Sequence, residues 1–203
     1  MRDVNATVIV DLGLQEEEIL KKLDKDARWG INKAIKEGLK VEEGKEEEWK
    51  EFYDIYKKTV TEGGTNPEFL ENLKENTKVF FVCKYKDKII AGAGIWFVDE
   101  YDINTPRLYF NASLREHQNL QPNNLLYWNC ILWCKNNGYK KFDLGGYQIN
   151  ARGHLQGINK FKEKWGSLVY YYRDYPVLKA IGRKLIRNSS FFWWLNKKFK
   201  GRR

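Results

Sequence analysis

Apolar residues recur along this chain with two different periods, and the switches between them mark out its elements. A β-branched run over residues 7–12 (TVIVDL) predicts a strand. Residues 15–23 and 25–37 read as helices, with Gly38 as a stop, and 39–42 as a short extended piece. Between residues 46 and 61, Trp49, Phe52, Tyr53, Tyr56 and Val60 fall at helical spacing with charges between them. Gly63-Gly64 ends that helix, and Asn66-Pro67 is expected to open another, since Asn caps and Pro suits a first turn. The period then drops to two. Residues 79–85, a turn at Lys86-Asp87-Lys88 and residues 89–98 predict a hairpin. Ala91-Gly92-Ala93-Gly94 leaves one stretch of its second strand nearly bare, as a bulge or a close approach requires. Further expectations are a strand over 108–112, a helix over 123–136, a strand over 140–144, a helix near 157–165 and a strand over 168–173. Alternating helices and strands in the second half predict an α/β (α+β) fold on a mixed sheet.

Beyond residue 176 the pattern becomes amphipathic again. Leu178, Ile181, Leu185, Phe192, Leu195 and Phe199 follow helical spacing, with Lys and Arg between them. Charge sharpens this reading. The chain of 203 residues carries a formal net charge of +9, and residues 179–203 hold nine Lys or Arg and no acid. The remaining chain is therefore neutral. Residues 1–175 are expected to form one domain and 176–203 a basic aromatic helix. Its occupant is an anionic membrane surface, a tRNA backbone or the domain itself. Three cysteines without metal spacing read as reduced core thiols. No basic-then-apolar leader opens the chain, and no apolar run approaches ~18 residues. The expectation is a cytoplasmic protein, peripheral at the inner face of the membrane, with no metal and no tightly bound cofactor.

Four segments, in order, carry a resemblance: LDKDARWGINKAIKEGLKVEEG (23–44), WKEFYDIYKKTVTEGG (49–64), YFNASL with PNNLLYWNCILWCKNNGYKKFDLGG (109–146), and GINKFKEKWG (157–166). Together they resemble the FemA/FemB/FemX-like acyltransferases of the GNAT superfamily. The resemblance implies a GNAT-like domain with a central mixed, mostly antiparallel sheet. It implies transfer of an aminoacyl group from aminoacyl-tRNA to an amine of a peptidoglycan-type, cell-envelope precursor. Related single-domain members use acyl-CoA as donor, so an acyl-CoA-dependent N-acyltransferase acting on an amino sugar or other small amine is the rival enzyme. A non-catalytic half-enzyme that binds an anionic partner is the third reading. Fem-type enzymes have two GNAT-like domains and this chain is similar to the second alone, which leaves a surface for a dimer mate, a partner or the tail.

The resemblance places the functional lysine of the FK pair at Lys162, where a fixed cation stabilises the oxyanion formed during acyl transfer. It places Arg28 and Lys33 near anionic parts of a substrate. Asp143, Gly145 and Gly146 end a strand, where ligands of open α/β sheets collect. Asp143 there either orients a donor amine or caps the turn. Tyr109 and Asn111 share a strand face and are candidates for hydrogen bonds to substrate. The loop 113–123 (SLREHQNLQPN) lacks the glycines that let backbone wrap a pyrophosphate, leaving Arg115 and His117 as its only cationic candidates. His154 is a weaker candidate base.

Overall fold

The computed structural model describes residues 2–97 and 105–174. Two compact units divide the chain: residues 7–169 form one, and residues 1–6 with 170–203 the other. The expected tail helix over 178–203 lies outside the described residues. Among those described, no helix is long and apolar enough to cross a membrane.

The elements are β1 (Arg2–Asp11), α1 (Glu16–Lys22), α2 (Lys25–Lys36), β2 (Lys40–Glu43), α3 (Trp49–Glu62), α4 (Leu70–Asn76), β3 (Val79–Tyr85), β4 (Lys88–Phe97), β5 (Pro106–Ser113), α5 (Pro122–Asn136), β6 (Lys141–Tyr147), α6 (His154–Glu163) and β7 (Ser167–Asp174). The strands form one sheet in the order β2-β3-β4-β5-β6-β1-β7. From β2 to β5 each neighbour is antiparallel, whereas β5 and β6 are parallel.

Side-chain alternation on β3 explains its unbroken apolar run. Val79, Phe81 and Cys83 enter one core, with Ile19, Ala27, Ile31, Leu126 and Ile131 from α1, α2 and α5. Phe80 and Val82 enter a second core, with Trp49, Phe52, Ile55 and Leu73 from α3 and α4. The sheet is covered on both faces at β3, so this strand carries apolar residues at successive positions.

The bare stretch of β4 makes room for the second core. A Cβ on Gly92 would meet the Phe52 ring at 2.6 Å, and one on Gly94 would collide with the Phe110 ring. Phe52 and Phe110 stack at 5.3 Å, and Trp49 stacks on Phe80 at 4.1 Å. The expected bulge is also there, between Gly94 and Ile95.

Two local expectations need correction. The hairpin turn is Lys86-Asp87 alone, with φ of 50° and 62°, so Lys88 already belongs to β4. Two consecutive left-handed residues match the right-handed strand twist, which is why a two-residue turn suffices. Asn66-Pro67 does not open α4, which begins at Leu70 with Phe69 as its cap residue. The reason is tertiary. The Tyr53 hydroxyl donates to the Glu68 carbonyl at 3.0 Å and the Glu68 N–H donates to the Tyr56 hydroxyl at 3.4 Å, holding that segment on α3.

Candidate active site

The parallel strands β5 and β6 register at one pair of residues, Arg107 with Asp143. Beyond that pair they part, leaving the edge of β5 from Leu108 to Asn111 facing the Leu144–Gly146 end of β6. The gap is a cleft of about 880 Å³. Its remaining walls are the first turns of α5 (Pro122, Asn123, Asn124, Tyr127) and one face of α6. That face is His154, Gly157, Ile158, Phe161 and Lys162, a stripe that helical periodicity requires. Lys160 is exposed, and Lys164 pairs with Asp26 at 3.1 Å, so three neighbouring lysines have three different fates.

Asp143 holds the point where the strands diverge. It is 4% exposed. Its Oδ2 accepts from Arg107 Nε at 2.8 Å and lies 2.7 Å from Arg107 Nη2. Its Oδ1 accepts from the Gly145 N–H at 2.8 Å and from the Thr7 hydroxyl. The Thr7 hydroxyl is also 2.9 Å from the Gly145 carbonyl, and its single proton serves one acceptor at a time. With both oxygens engaged, Asp143 caps the turn that follows it. It thereby ties β5, β6 and β1 together at the base of the cleft.

The turn it caps needs glycine. Gly145 has φ of 77°, and a Cβ there would lie 3.2 Å from the Leu108 carbonyl and 3.8 Å from Lys162 Nζ. A Cβ on Gly146 would meet nothing within 4 Å, so that backbone is open to an incoming group. Lys162 is half-buried, and its ammonium donates to the Gly146 carbonyl at 3.0 Å. Burial pushes its pKa down to about 8, with Asp143 opposing that shift and Arg107 adding to it. At neutral pH it remains mostly a cation, but a poorly solvated one. A charge in that state interacts strongly with negative charge developing nearby.

Asn111 and Tyr109 also reach the cleft, though each is already engaged. Asn111 Nδ2 donates to Asn123 Oδ1 at 3.3 Å and to the Gly92 carbonyl at 3.4 Å, while Asn123 Nδ2 donates to Ser113 Oγ at 3.1 Å. The two asparagines latch the end of β5 to the start of α5. The Tyr109 ring stacks on Trp96 at 4.6 Å, and its hydroxyl donates to Glu68 Oε2 at 2.7 Å. Burial, together with that acceptor, raises the phenol's pKa well above the ordinary value. His154 lines the mouth of the cleft.

Arg28 and Lys33 are not brought to the cleft. The Arg28 guanidinium donates to the carbonyls of Leu23 and, at 2.8 Å, of Lys21, so it caps the end of α1. Lys33 lies 5.1 Å over the Trp29 ring. The RWGINKA segment meets the site through packing instead. A Cβ on Gly30 would strike the Asn124 side chain at 2.5 Å, so glycine lets α2 close onto the first turn of α5.

The loop before α5 contains a 3-10 turn over Arg115–Leu120. Arg115 pairs with Glu62 at 2.8 Å and His117 packs against the Tyr85 ring. Gln121 is left-handed at φ 63°, and its carbonyl accepts from the N–H groups of both Asn124 and Leu125. Pro122 has no N–H to give. The start of α5 therefore offers one backbone donor fewer than a helix that opens without proline. Cys83, Cys130 and Cys134 are free and buried. Burial pushes the Cys83 thiol up to about 12 and the other two well up, which removes all three as nucleophiles at neutral pH.

Sequence reasoning missed Arg107, Thr7, Asn123 and Tyr127. For Asn123 and Tyr127 a signal was available in the PNNLLYW segment. For Arg107 and Thr7 there was none, because their partner Asp143 lies 36 and 136 residues away.

A mixed sheet that splays between two parallel strands, with one helix starting at the splay and another closing it, defines a GNAT-like fold. The model of the FemAB family matches residues 5–66. The FemX crystal structure aligns at a TM-score of 0.68 and 15% identity, over 82% of this chain and 59% of that one. The C-terminal domain of an Agrobacterium fabrum protein provisionally described as a lysylphosphatidylglycerol synthetase aligns at 0.63 and 14% identity, over 85% and 60%. L-PGS from Bacillus licheniformis aligns at 0.60 and 16% identity, over 91% and 67%. No curated protein matches the sequence. The chain is thus FemAB-like, in sequence over roughly its first third and in fold over most of its length. It spans about three fifths of the length of FemX and of the Agrobacterium domain structure.

Proposed function

We propose that this chain is an acyltransferase of the Fem type, moving an aminoacyl group from aminoacyl-tRNA to an amine on a cell-envelope precursor. The observation that carries this reading is the half-buried Lys162 ammonium, held at the Gly146 carbonyl in the mouth of the β5–β6 splay. In the reaction the acceptor amine attacks the ester carbonyl of the donor. Negative charge collects on the carbonyl oxygen, where Lys162 stabilises it. The carbon–oxygen bond to the 3′-ribose breaks as the amide bond forms, and the proton lost by the amine passes to the leaving 3′-hydroxyl. The backbone of Gly145 and Gly146 shapes the donor side, with Asn111 and Tyr109 on the opposite wall. Asp143 and Arg107 position the turn.

The glycine-free loop over 113–123 and Pro122 at the start of α5 favour this donor over acyl-CoA. The test is binding of charged tRNA, uncharged tRNA and acetyl-CoA to the full chain, followed by single-turnover transfer to an amine acceptor. Preference for charged tRNA, with transfer abolished in Lys162→Met, is the expected result. Tight binding of acetyl-CoA with indifference to tRNA charging overturns the donor assignment and makes the chain an acyl-CoA N-acyltransferase. Full transfer by Lys162→Met overturns the role of Lys162.

A further inference from the structure

Most polar side chains of the cleft are committed to protein partners. Lys162 donates to the Gly146 carbonyl, Tyr109 to Glu68, Asn111 to Asn123, and Asn124 Nδ2 to Gln121 Oε1 at 2.8 Å. Gln118, Asn119 and His154 line the cleft too, but all three are exposed and stay hydrated. Tyr127 belongs to neither group. It lies in the second turn of α5, lines the cleft and is only 4% exposed. Among the described residues none bonds its hydroxyl. Yet that hydroxyl is not sealed in, because the fully buried side-chain nitrogens and oxygens without a partner, among the described residues, are Trp96 Nε1 and Trp165 Nε1. The Tyr127 oxygen therefore keeps a narrow opening, and the cavity that this residue lines is the cleft.

The ring is held in place. It meets the Phe161 ring edge to face, with centroids 5.0 Å apart, and lies 5.4 Å from the Trp165 ring. Phe161 directly precedes Lys162, so the aromatic contact ties Tyr127 to the turn of α6 that carries the ammonium. Leu108 and Leu144, both buried, line the same cleft. Burial raises the Tyr127 phenol well above its ordinary pKa, which keeps it a proton donor throughout the neutral range. A ligand that fills the cleft displaces the solvent at this hydroxyl. An O–H left buried and unpaired costs much of what the ligand gains by entering, so a ligand that binds well brings an acceptor to it.

We propose that Tyr127 is a donor-binding residue whose hydroxyl donates to a carbonyl or hydroxyl oxygen of the acyl donor, so that the cleft selects against donors that are apolar at that depth. This rests on the acyltransferase reading of the cleft, and holds for either class of carrier.

The test is Tyr127→Phe in the full chain, which removes the hydroxyl and keeps the ring. Binding is titrated with charged and uncharged tRNA and with acetyl-CoA and CoA, beside calorimetry of both proteins. For whichever carrier the wild-type chain binds, the dissociation constant is expected to rise by about 3- to 10-fold. The melting temperature should stay or rise, since no protein hydrogen bond is lost. A loss confined to the acylated member of a pair puts the hydroxyl on the acyl carbonyl, and an equal loss in both members puts it on the carrier. A loss smaller than about twofold overturns the proposal and leaves the acyltransferase reading standing. A lowered melting temperature also overturns it, because the hydroxyl then serves the fold. A wild-type chain that binds none of the four ligands removes both readings together.

Discussion

Lys162 differs from Lys160 and Lys164 only in where α6 points it, and that difference has consequences in solution. Replacing it with Met keeps the stem and removes the charge. On the proposed mechanism, transfer should fall by about 10²–10³-fold. The pH dependence follows from the lowered pKa. The cation is the active form, so the rate should decline as pH rises through about 8. A group acting as general base would give the opposite slope. Stability runs the other way. Below about pH 8 Lys162 is charged in both folded and unfolded chains, and the folded state bears the cost of burying it. Between that pKa and the unfolded value of roughly 10.4, the unfolded chain binds the extra proton, so stability rises with pH across this window. Lys162→Met should therefore leave the melting temperature unchanged or raised while activity is lost. Calorimetry beside a pH–rate profile checks both halves. Asp143→Asn contrasts with this. It removes the carboxylate charge that accepts from the half-buried Arg107 guanidinium, the Thr7 hydroxyl and the Gly145 N–H, at a cost of about 3–5 kcal/mol in denaturant titration.

At the scale of elements, the strain lies in the β3–β4 turn and the crowding in β4. Lys86 and Asp87 both occupy left-handed backbone that Asn-Gly adopts more easily. Replacing them with Asn and Gly should stabilise the chain by about 0.5–1 kcal/mol without touching the cleft, measured as a rise in melting temperature. Gly94→Ala should do the reverse. Its methyl runs into the Phe110 ring within the stack on Phe52, and overpacking of that kind costs about 1–3 kcal/mol. The α5 start shows how an element's ends can be read correctly while their use is not. A helix over 123–136 was legible, one residue short of its start at Pro122, whereas the left-handed turn at Gln121, whose carbonyl accepts from the Asn124 and Leu125 N–H groups, was not.

For the molecule as a whole, two cores share one sheet, and each of the three cysteines lies in the core built on α1, α2 and α5. A thiol reagent should find all three unreactive in the native protein and reactive together on global unfolding, since burial raises every one of their pKa values. Staggered release would show that the core opens in parts. Phe52→Ala in the opposite core should cost about 3–5 kcal/mol, because this fully buried ring touches Trp49, Tyr56, Phe80 and Phe110.

What the sequence determined by itself was local. The two periods located the helices and strands, since side-chain spacing on a helix or a pleated strand is set by a few neighbouring residues. The need for bare glycines in β4 and at the end of β6 was legible for the same reason, because backbone sterics act at one position at a time. The FK segment singled out Lys162 through its resemblance, and helical geometry then turned it away from its neighbours. Tertiary structure decided what depends on distant partners. It placed Arg28 on the end of α1 and Lys33 over Trp29, although both lie in a segment that resembles functional sequence. It assigned Asp143 to hold a turn, because Arg107, Thr7 and Gly145 converge on that one carboxylate from three strands. The cleft itself belongs to this class. It exists because two parallel strands register at one pair of residues and then diverge, and pairing across that separation leaves no mark in either strand's own pattern.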